Sequence, residues 1–268
     1  MNPPQTEQYE LFAKAAPTIV GRVDVHTHLL PGIDDGCTSL DESISCALAL
    51  VDAGYTHAFC TPHVWPNLPE NNARQIRQNT ADLQLAFDRA DVPLKLLPGG
   101  ENNLMSAWPR IGKTPRDEIV TYNLAGHYVL FDFWADTPMQ VRDLVEPAVR
   151  HLRKEGFELI LAHPERITAL HDERALSRLT ELGVKLQLNS WCLTERPGSP
   201  KRAMAERLLK TGRYFLIGTD LHRPSGMNIR TAGLALAEKL VGRDEVEHLT
   251  VINPRLLMDA ERRPPTTP

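Results

Sequence analysis

The chain has 268 residues, a formal net charge of −4 and an apolar fraction of 42%. This composition is typical of an ordinary globular protein, and it argues against the basic surface that nucleic-acid binding requires. The length suits two modest domains or one α/β barrel, because such barrels routinely reach about 250 residues as a single unit.

The N-terminal segment is polar and carries Glu7 and Glu10 where a signal peptide needs basic residues and an apolar core. No apolar run approaches the roughly 20 residues of a membrane span, so we expect a cytoplasmic protein that is not embedded in a membrane. We expect residues 1–20 to form an extension with a short helix over 6–15, residues 21–260 the barrel domain, and residues 261–268 a flexible tail.

Strand patterns alternate with helical patterns along the rest of the chain. Seven strands are predicted near residues 23–28, 57–61, 94–97, 127–133, 157–162, 184–188 and 214–217. Helices are predicted after each of the first two strands, at about 40–53 and 69–90, and then at 138–155, 172–182, 200–211, 229–241, 244–250 and 253–260. The region 104–126 is irregular and has room for one short helix.

Local signals support these elements. Ser39 with Glu42, and Thr137 with Gln140, have the spacing of capping boxes. Four predicted helices end in glycine immediately before an apolar strand, at Gly54, Gly156, Gly183 and Gly212. Such repeated αβ units predict a parallel sheet, and seven strands predict a closed or nearly closed barrel in one domain.

The opening stretch VDVHTHLLPGIDDG combines a buried strand with metal-binding side chains. Residues two apart on a strand share a face, so Asp24, His26 and His28 are expected side by side. Two imidazoles followed by Asp34 and Asp35 suit a metal site better than simple packing. A pair of histidines that only satisfy their hydrogen bonds at a strand end is the alternative.

Candidate ligands stand at the carboxyl ends of all predicted strands except the sixth, which ends in Asn189. Barrels of this class build their active sites at that end. The candidates are His26, His28, Asp35, His63, Glu101, Asp132, His163, Asp220 and His222. Converging carboxylates repel one another unless cations neutralise them, so a metal centre is expected. The remaining five histidines are assigned structural roles: His57, His127, His151, His171 and His248.

Nine candidate ligands are too many for one ion, which indicates two or three ions that share a bridging carboxylate. Mixed imidazole and carboxylate donors suit Mn²⁺, Zn²⁺ or iron, and Mg²⁺ less well. Asp34 and Asp24 are expected behind the ligands, where they would orient imidazoles. For Asp24, hydrogen bonding to the backbone is an equal alternative.

The motifs DVHTH, DDG, TPH, GGE, AHPER and GTDLH, in this order, resemble the polymerase and histidinol phosphatase (PHP) superfamily of metallophosphoesterases. Within it, HLLPGIDDG, AHPER and QLNS look most like the bacterial tyrosine-protein phosphatases of capsule and exopolysaccharide operons. The resemblance covers about residues 22–259 and implies a distorted (β/α)7, TIM-like barrel with three metals, usually manganese. It also implies, as substrate and partner, the phosphotyrosine-containing tail of a bacterial tyrosine kinase.

Carried over residue by residue, the resemblance implies three metal sites. The first would consist of His26, His28, Glu101 and Asp220; the second of Glu101, Asp132 and His163; and the third of Asp35, His63 and His222. Asp132 departs from the family pattern, in which a glutamate is common, and the second site therefore has the least typical ligand.

The expected reaction is attack on phosphorus by a metal-activated hydroxide, because a metal can lower the pKa of bound water from about 16 to about 7. Arg166 is the expected phosphate clamp, since its planar fork matches phosphate oxygens, with an ion pair to Glu165 as the alternative. The resemblance implies a second phosphate-binding arginine in HRPSGMNIR, where Arg223 and Arg230 are candidates. The expected catalytic residues are Arg166, Arg223, Asp220 and His222.

Other readings remain open from the sequence. Trp65, Trp134 and Trp191 follow strand tips, where they can stack on an aromatic substrate or pack within loops. A small-molecule phosphoesterase such as histidinol-phosphate phosphatase is the main alternative, ahead of a non-catalytic regulatory partner and of a metal-dependent amidohydrolase. A cysteine-based tyrosine phosphatase needs C-x5-R, and none of the four cysteines, which we expect to be reduced thiols, has an arginine six positions later.

Overall fold

The structure is a computed structural model that describes residues 21–106 and 112–258. The helix predicted over residues 6–15 and the tail predicted over 261–268 lie outside the described residues. Among the described residues, no helix combines the length and the apolarity that crossing a membrane requires.

The described residues contain nine strands that pair in parallel throughout. They are β1 (Arg22–Thr27), β2 (Tyr55–Cys60), β3 (His63–Val64), β4 (Lys95–Pro98), β5 (Glu101–Asn103), β6 (Tyr128–Asp132), β7 (Glu158–Ala162), β8 (Lys185–Asn189) and β9 (Tyr214–Gly218). Their order is β1-β2-β4 in one sheet and β3-β5-β6-β7-β8-β9 in the other.

The two sheets are the two parts of one distorted barrel. Strand β3 follows β2 after Thr61 and Pro62, and β5 follows β4 after Gly99 and Gly100, so each pair continues one barrel strand. The β1 side meets the β9 side through a parallel bridge between Thr27 and Leu221. The predicted seven-stranded barrel is therefore confirmed, and its irregularities lie where several candidate ligands emerge.

The helices follow the predicted order with shorter bounds in places. They are α1 (Leu40–Asp52), α2 (Ala73–Arg89), α3 (Pro138–Gln140), α4 (Glu146–Lys154), α5 (Glu173–Glu181), α6 (Pro200–Lys210), α7 (Met227–Val241), α8 (Arg243–Glu247) and α9 (Arg255–Met258). Widened π-helical turns at Val141–Val145 and His248–Ile252 interrupt two of the predicted helices. In the described part of the irregular region there are two short 3-10 turns, Arg116–Glu118 and Tyr122–Leu124.

The predicted caps are largely present. Thr137 and Gln140 form the complete capping box at α3. At α1, Ser39 accepts a hydrogen bond from the Glu42 backbone, but the Glu42 carboxylate bonds to Thr38 at 2.7 Å. That box is therefore only half formed, because the Glu42 carboxylate accepts from the backbone amide and the hydroxyl of Thr38, one residue before the cap, and not from the Ser39 amide.

The apolar core has two layers. The larger layer lies between strands and helices and includes Leu50, Phe87 and Leu176, all fully buried. The smaller layer draws side chains from strands all round the barrel, such as Val25, Ile160 and Leu216, and so fills its interior. This interior layer lies below the candidate ligands. All four cysteines are buried free thiols, as expected.

Candidate metal centre

Two imidazoles and two carboxylates converge above the barrel interior. The Nε2 atoms of His26 and His28 lie 3.2 Å apart. Glu101 Oε2 lies 3.4 Å from the first and 3.7 Å from the second, and Asp220 Oδ1 lies 3.5 Å and 3.4 Å from them. All four side chains are almost completely buried. Their donor atoms face one another with no hydrophobic side chain between them, which is the arrangement of a ligand set.

Glu101 connects this group to two further histidines. Its Oε1 atom lies 2.9 Å from His163 Nε2, and its Oε2 atom lies 2.8 Å from His63 Nδ1. The second pair is close but not aligned as a hydrogen bond, and both of its atoms lack a hydrogen-bond partner. One carboxylate thus contacts imidazoles from the tips of three barrel strands, as a bridging ligand would.

A second group of donors lies beside the first, nearer solvent. Asp35 Oδ1 is 3.2 Å from His63 Nε2 and 3.3 Å from His222 Nε2. The His222 ring stacks on His28 with centroids 3.9 Å apart. Asp35 is the exposed member, with a side chain 64% accessible. Since His63 offers one ring nitrogen to each group, it links the two.

Hydrogen bonds behind the imidazoles fix which nitrogen faces the centre. His28 Nδ1 bonds to Asp34 Oδ2 at 2.8 Å, and His222 Nδ1 bonds to the Asp220 carbonyl at 3.0 Å. His26 Nδ1 bonds to Gln187 Oε1 at 2.9 Å. Because these partners are acceptors, Nδ1 carries the proton and the Nε2 lone pair is directed inward, as metal ligation requires.

Asp132 lines the same cavity but stands apart from the two groups. It is buried, and its Oδ1 atom accepts a hydrogen bond from Asn103 Nδ2 at 3.0 Å. Burial and the nearby Glu101 carboxylate raise the pKa of Asp132 well above its usual value. The shorter side chain therefore rests on a neighbouring amide, and it is the sequence-predicted ligand that the structure brings least clearly into the centre.

The electrostatics of the centre fit a cation. Burial lowers the pKa of His28, but Asp34 and Asp220 outweigh it and hold that pKa well above its usual value. Contacts with Asp35 and Glu101 likewise raise the pKa of His63 to about 9, against the opposing effect of burial. The carboxylates thus favour protonated imidazoles. A bound metal ion would supply the same positive charge in place of those protons.

Buried polar atoms without hydrogen-bond partners also indicate a cation site. Glu101 Oε2, His63 Nδ1, His163 Nδ1 and Asn189 Oδ1 have no hydrogen-bond partner among the described residues. Unsatisfied buried polar groups are rare because each costs roughly 1–3 kcal/mol. Three of them belong to residues that line the cavity, and Asn189 contacts the cavity residue Asp220, so these nitrogen and oxygen donors fit a centre that binds ions.

Two of the candidate ligands have strained backbones. His163 and Asp220 adopt left-handed conformations, with φ of 37° and 54°. A non-glycine residue in this region costs roughly 1 kcal/mol or more, and such strain concentrates at functional sites. Arg230 supports the second bend, because its guanidinium donates to the carbonyls of Thr219 and Asp220 at 2.6 and 2.5 Å.

The arginines have separate environments. Arg166 lines the cavity and donates from Nη1 to Asp220 Oδ2 at 2.7 Å, so its partner is not Glu165. Arg223 instead donates to the carbonyls of Gly36 and His222 and does not line the cavity. The Arg230 guanidinium donates its hydrogen bonds to backbone carbonyls. The structure therefore brings one of the candidate phosphate-binding arginines to the centre and leaves the other two outside it.

Asp24 hydrogen-bonds to the backbone, which is the second of the two roles considered for it from the sequence. It accepts hydrogen bonds from the amides of His26 and Thr219, at 3.2 and 3.1 Å, and from the Thr219 hydroxyl. It contacts no imidazole as an acceptor among the described residues. The pairing of β1 with β2 shifts register between Asp24 and Thr27, which breaks the strict alternation expected from the sequence. Its burial raises the pKa of Asp24 to about 6.

Two residues at the end of β8 complete the centre and were missed by the sequence analysis as partners of ligands. Gln187 holds His26, as described above. Asn189 Nδ2 donates to Asp220 Oδ2 at 2.8 Å, while its backbone amide bonds to the buried Glu165. The available signal was β8 itself, because the strand between two ligand-bearing strands must place its inward polar residues beside them.

The cavity above these groups has a volume of about 340 Å³. Its wall includes Asp35, His63, Trp65, Glu101, Asp132, Phe133, Trp134, Asp136, His163, Arg166, Asp220 and His222. Trp191 is not part of it, since that ring packs against the core beneath Lys201. The cavity thus combines a charged floor with two indole rings, which suits an anion that carries an aromatic group.

Known proteins resemble this chain over most of its length. The sequence pattern of the family described as capsular polysaccharide synthesis, CpsB/CapC, matches residues 22–259. Tyrosine-protein phosphatase YwqE of Bacillus subtilis is 27% identical over 91% of this chain and 95% of its own length. Tyrosine-protein phosphatase CpsB of Streptococcus pneumoniae is 25% identical over 88% of this chain and 98% of its own length.

Solved structures give the same result. One chain from the work described as crystal structures of YwqE from Bacillus subtilis and CpsB from Streptococcus pneumoniae, unique metal-dependent tyrosine phosphatases, aligns with a TM-score of 0.71 and 25% identity, over 85% of this chain and 90% of that chain. The lactonase Lmo2620 from Listeria monocytogenes aligns with a TM-score of 0.58 over 92% of this chain and 97% of the other. At 11% identity, this second likeness shows the barrel fold alone.

Proposed function

The chain belongs to the CpsB/CapC family of capsular polysaccharide synthesis, and from this premise we propose that it is a metal-dependent protein-tyrosine phosphatase. Its proposed substrate is phosphotyrosine in the tail of a bacterial tyrosine kinase that controls capsule or exopolysaccharide synthesis. The observation that carries the proposal is Glu101, whose buried carboxylate contacts imidazoles from three barrel strands beside the Arg166 guanidinium.

The donor groups divide among the proposed metal sites as follows. The first site would use His26, His28, Glu101 and Asp220; the second Glu101, Asp132 and His163; the third Asp35, His63 and His222. The donor atoms of His26, His28 and Glu101 lie within 4.8 Å of one another, and so do those of Asp35, His63 and His222. The second site relies on Asp132, which Asn103 holds, so we propose that it binds its ion most weakly.

We propose manganese as the resident metal. Mixed nitrogen and oxygen donors in this ratio suit Mn²⁺ as well as Zn²⁺ and iron, whereas an all-oxygen set would favour Mg²⁺. When bound, the ions would supply an acidified water and positive charge next to the phosphoryl oxygens. The remaining steps fall to side chains of the chain itself.

Arg166 is the proposed phosphate clamp. One guanidinium nitrogen is fixed by Asp220, which orients the planar fork, and the other donors have no hydrogen-bond partner among the described residues. Asn189 shares the same Asp220 oxygen, so Asp220 Oδ1 stays directed at His26 and His28. Asp220 thus joins the clamp to the ligand set, and a phosphoryl group bound by Arg166 lies next to the ligands.

The test is hydrolysis of a phosphotyrosyl peptide before chelation, after chelation, and after manganese is added back. We expect activity that chelation abolishes and manganese restores. Activity that persists through chelation would contradict the proposal. Assay of histidinol phosphate on the same protein tests the alternative, because a clear preference for it would identify a small-molecule phosphoesterase instead.

A further inference from the structure

Two tryptophans, which follow the strands on either side of β5, form one aromatic wall of the cavity. Trp65 follows β3 and Trp134 follows β6, and both rings line the space above the candidate ligands. Their centroids are 5.1 Å apart at an interplanar angle of 75°, an edge-to-face contact. Such contacts are favourable by roughly 0.5–1.5 kcal/mol, so the two rings hold each other in place.

Trp65 also ties this wall to the metal centre. Its ring stacks on the imidazole of His63, with centroids 3.9 Å apart and an interplanar angle of 24°. His63 is in turn 3.2 Å from Asp35 and 2.8 Å from Glu101. The wall is therefore held at a fixed, short distance from the atoms where a phosphoryl group would bind.

Trp134 leaves much of its ring uncovered. Its residue is 58% exposed, although large aromatic side chains normally lose most of their surface on folding. Trp191 shows the contrast, because it also follows a strand tip yet packs against the core. An indole that lines a polar cavity and remains exposed offers apolar surface to a bound molecule and not to the fold.

We propose that Trp65 and Trp134 are the residues that select aryl over alkyl phosphate monoesters, an inference that rests on the proposed function and assigns its substrate selectivity to two side chains. In an aryl ester the ring is attached directly to the ester oxygen. A phosphoryl group at the centre therefore places that ring against the wall next to His63. An alkyl ester places methylene groups there, and any ring it carries lies several bonds farther out.

Binding of two non-hydrolysable anions tests this selectivity without turnover. In phenylphosphonate a phenyl ring replaces the methyl group that methylphosphonate carries on phosphorus, and titration calorimetry of each into the manganese-loaded full chain gives two dissociation constants. We expect the phenyl compound to bind about tenfold more tightly, which is the size expected for one stacked ring. Equal affinities for the two anions would overturn the inference.

Variants of Trp134 locate the effect. Trp134→Ala is expected to reduce the phenyl preference about fivefold, and Trp134→Phe to restore most of it, because an aromatic face returns. Met139→Ala is the matched control, since Met139 is 61% exposed but lies outside the cavity wall, and it should leave the preference unchanged. A preference that survives Trp134→Ala, or that Met139→Ala reduces as much, would contradict the assignment.

The two proposals fail in different ways. If the wild-type chain prefers phenylphosphonate but does not hydrolyse a phosphotyrosyl peptide, the proposed function is wrong and the selectivity assigned to the aromatic wall is retained. If it hydrolyses the peptide but binds both anions equally, the phosphatase proposal stands and the aromatic wall is overturned.

Discussion

The two ends of the barrel are built on opposite principles. At the carboxyl end, buried acids and imidazoles face one another, several polar atoms have no hydrogen-bond partner within the described part of the chain, and His163 and Asp220 have left-handed backbones. In the interior toward the amino end, the side chains are apolar and fully buried, as at Val23 and Ile160, and the Tyr122 hydroxyl is satisfied by the Val25 carbonyl at 2.9 Å.

The difference shows which residues the fold needs and which the site needs. The interior stabilises the barrel through burial of apolar surface, roughly 25 cal/mol per Å². The carboxyl end costs stability in the absence of a cation, because charges are desolvated and strain is retained. Substitutions at the two ends should therefore separate activity from stability.

The largest effect on activity is expected for Glu101→Gln. The change keeps the shape of the side chain but removes the charge that contacts His26, His63 and His163, so metal binding should fall and turnover with it, by about 10³-fold or more. Metal content by mass spectrometry and turnover of a phosphotyrosyl peptide are the measurements. A Glu101→Gln variant with full metal content and activity would show that Glu101 is not a ligand of the centre.

Arg166→Ala is expected to have the next largest effect, a loss of turnover of about 10²-fold or more with bound metal retained, since one phosphate donor is worth roughly 3 kcal/mol of barrier. Arg223→Ala is the matched control, because that guanidinium bonds to loop carbonyls and should change turnover much less. Should the two variants lose equal activity, Arg223 would also belong to the clamp and the placement of the arginines would be mistaken.

Gln187→Leu probes the support behind a ligand. It removes the acceptor that holds His26 Nδ1 while nearly preserving volume, and such losses typically weaken metal affinity about 10- to 100-fold. Manganese affinity measured by titration is the readout. Gln187→Glu restores an acceptor and should recover affinity; failure of Glu to improve on Leu would show that Gln187 acts by packing alone.

Val23→Ala tests the other end of the barrel and should affect activity least. Truncating this fully buried side chain is expected to lower the free energy of unfolding by on the order of 2 kcal/mol, while turnover per folded molecule changes little. Denaturant unfolding and specific activity measure the two. A large loss of specific activity without loss of stability would remove the distinction between the two ends.

Much of this architecture was predictable from the sequence, because helix-ending glycines and apolar strand patterns report local structure directly. Gly54 and Gly183, for example, have φ of 86° and 84° at the predicted helix ends. The partners of the ligands were not predictable, since contacts such as Gln187 with His26 join residues 161 positions apart. The position of Asp24 away from the imidazoles depends on the irregular pairing of β1 with β2, and residue spacing in the sequence does not predict that irregularity.

The central claim is that side chains from six barrel strands hold cations at the carboxyl end. Anomalous diffraction at the manganese edge from crystals of the manganese-loaded chain tests it most directly. The account predicts two or three peaks, with the strongest beside His26, His28 and Asp220 and next to Asp35 and His222. A barrel mouth without a peak, or peaks bound elsewhere on the surface, would contradict it.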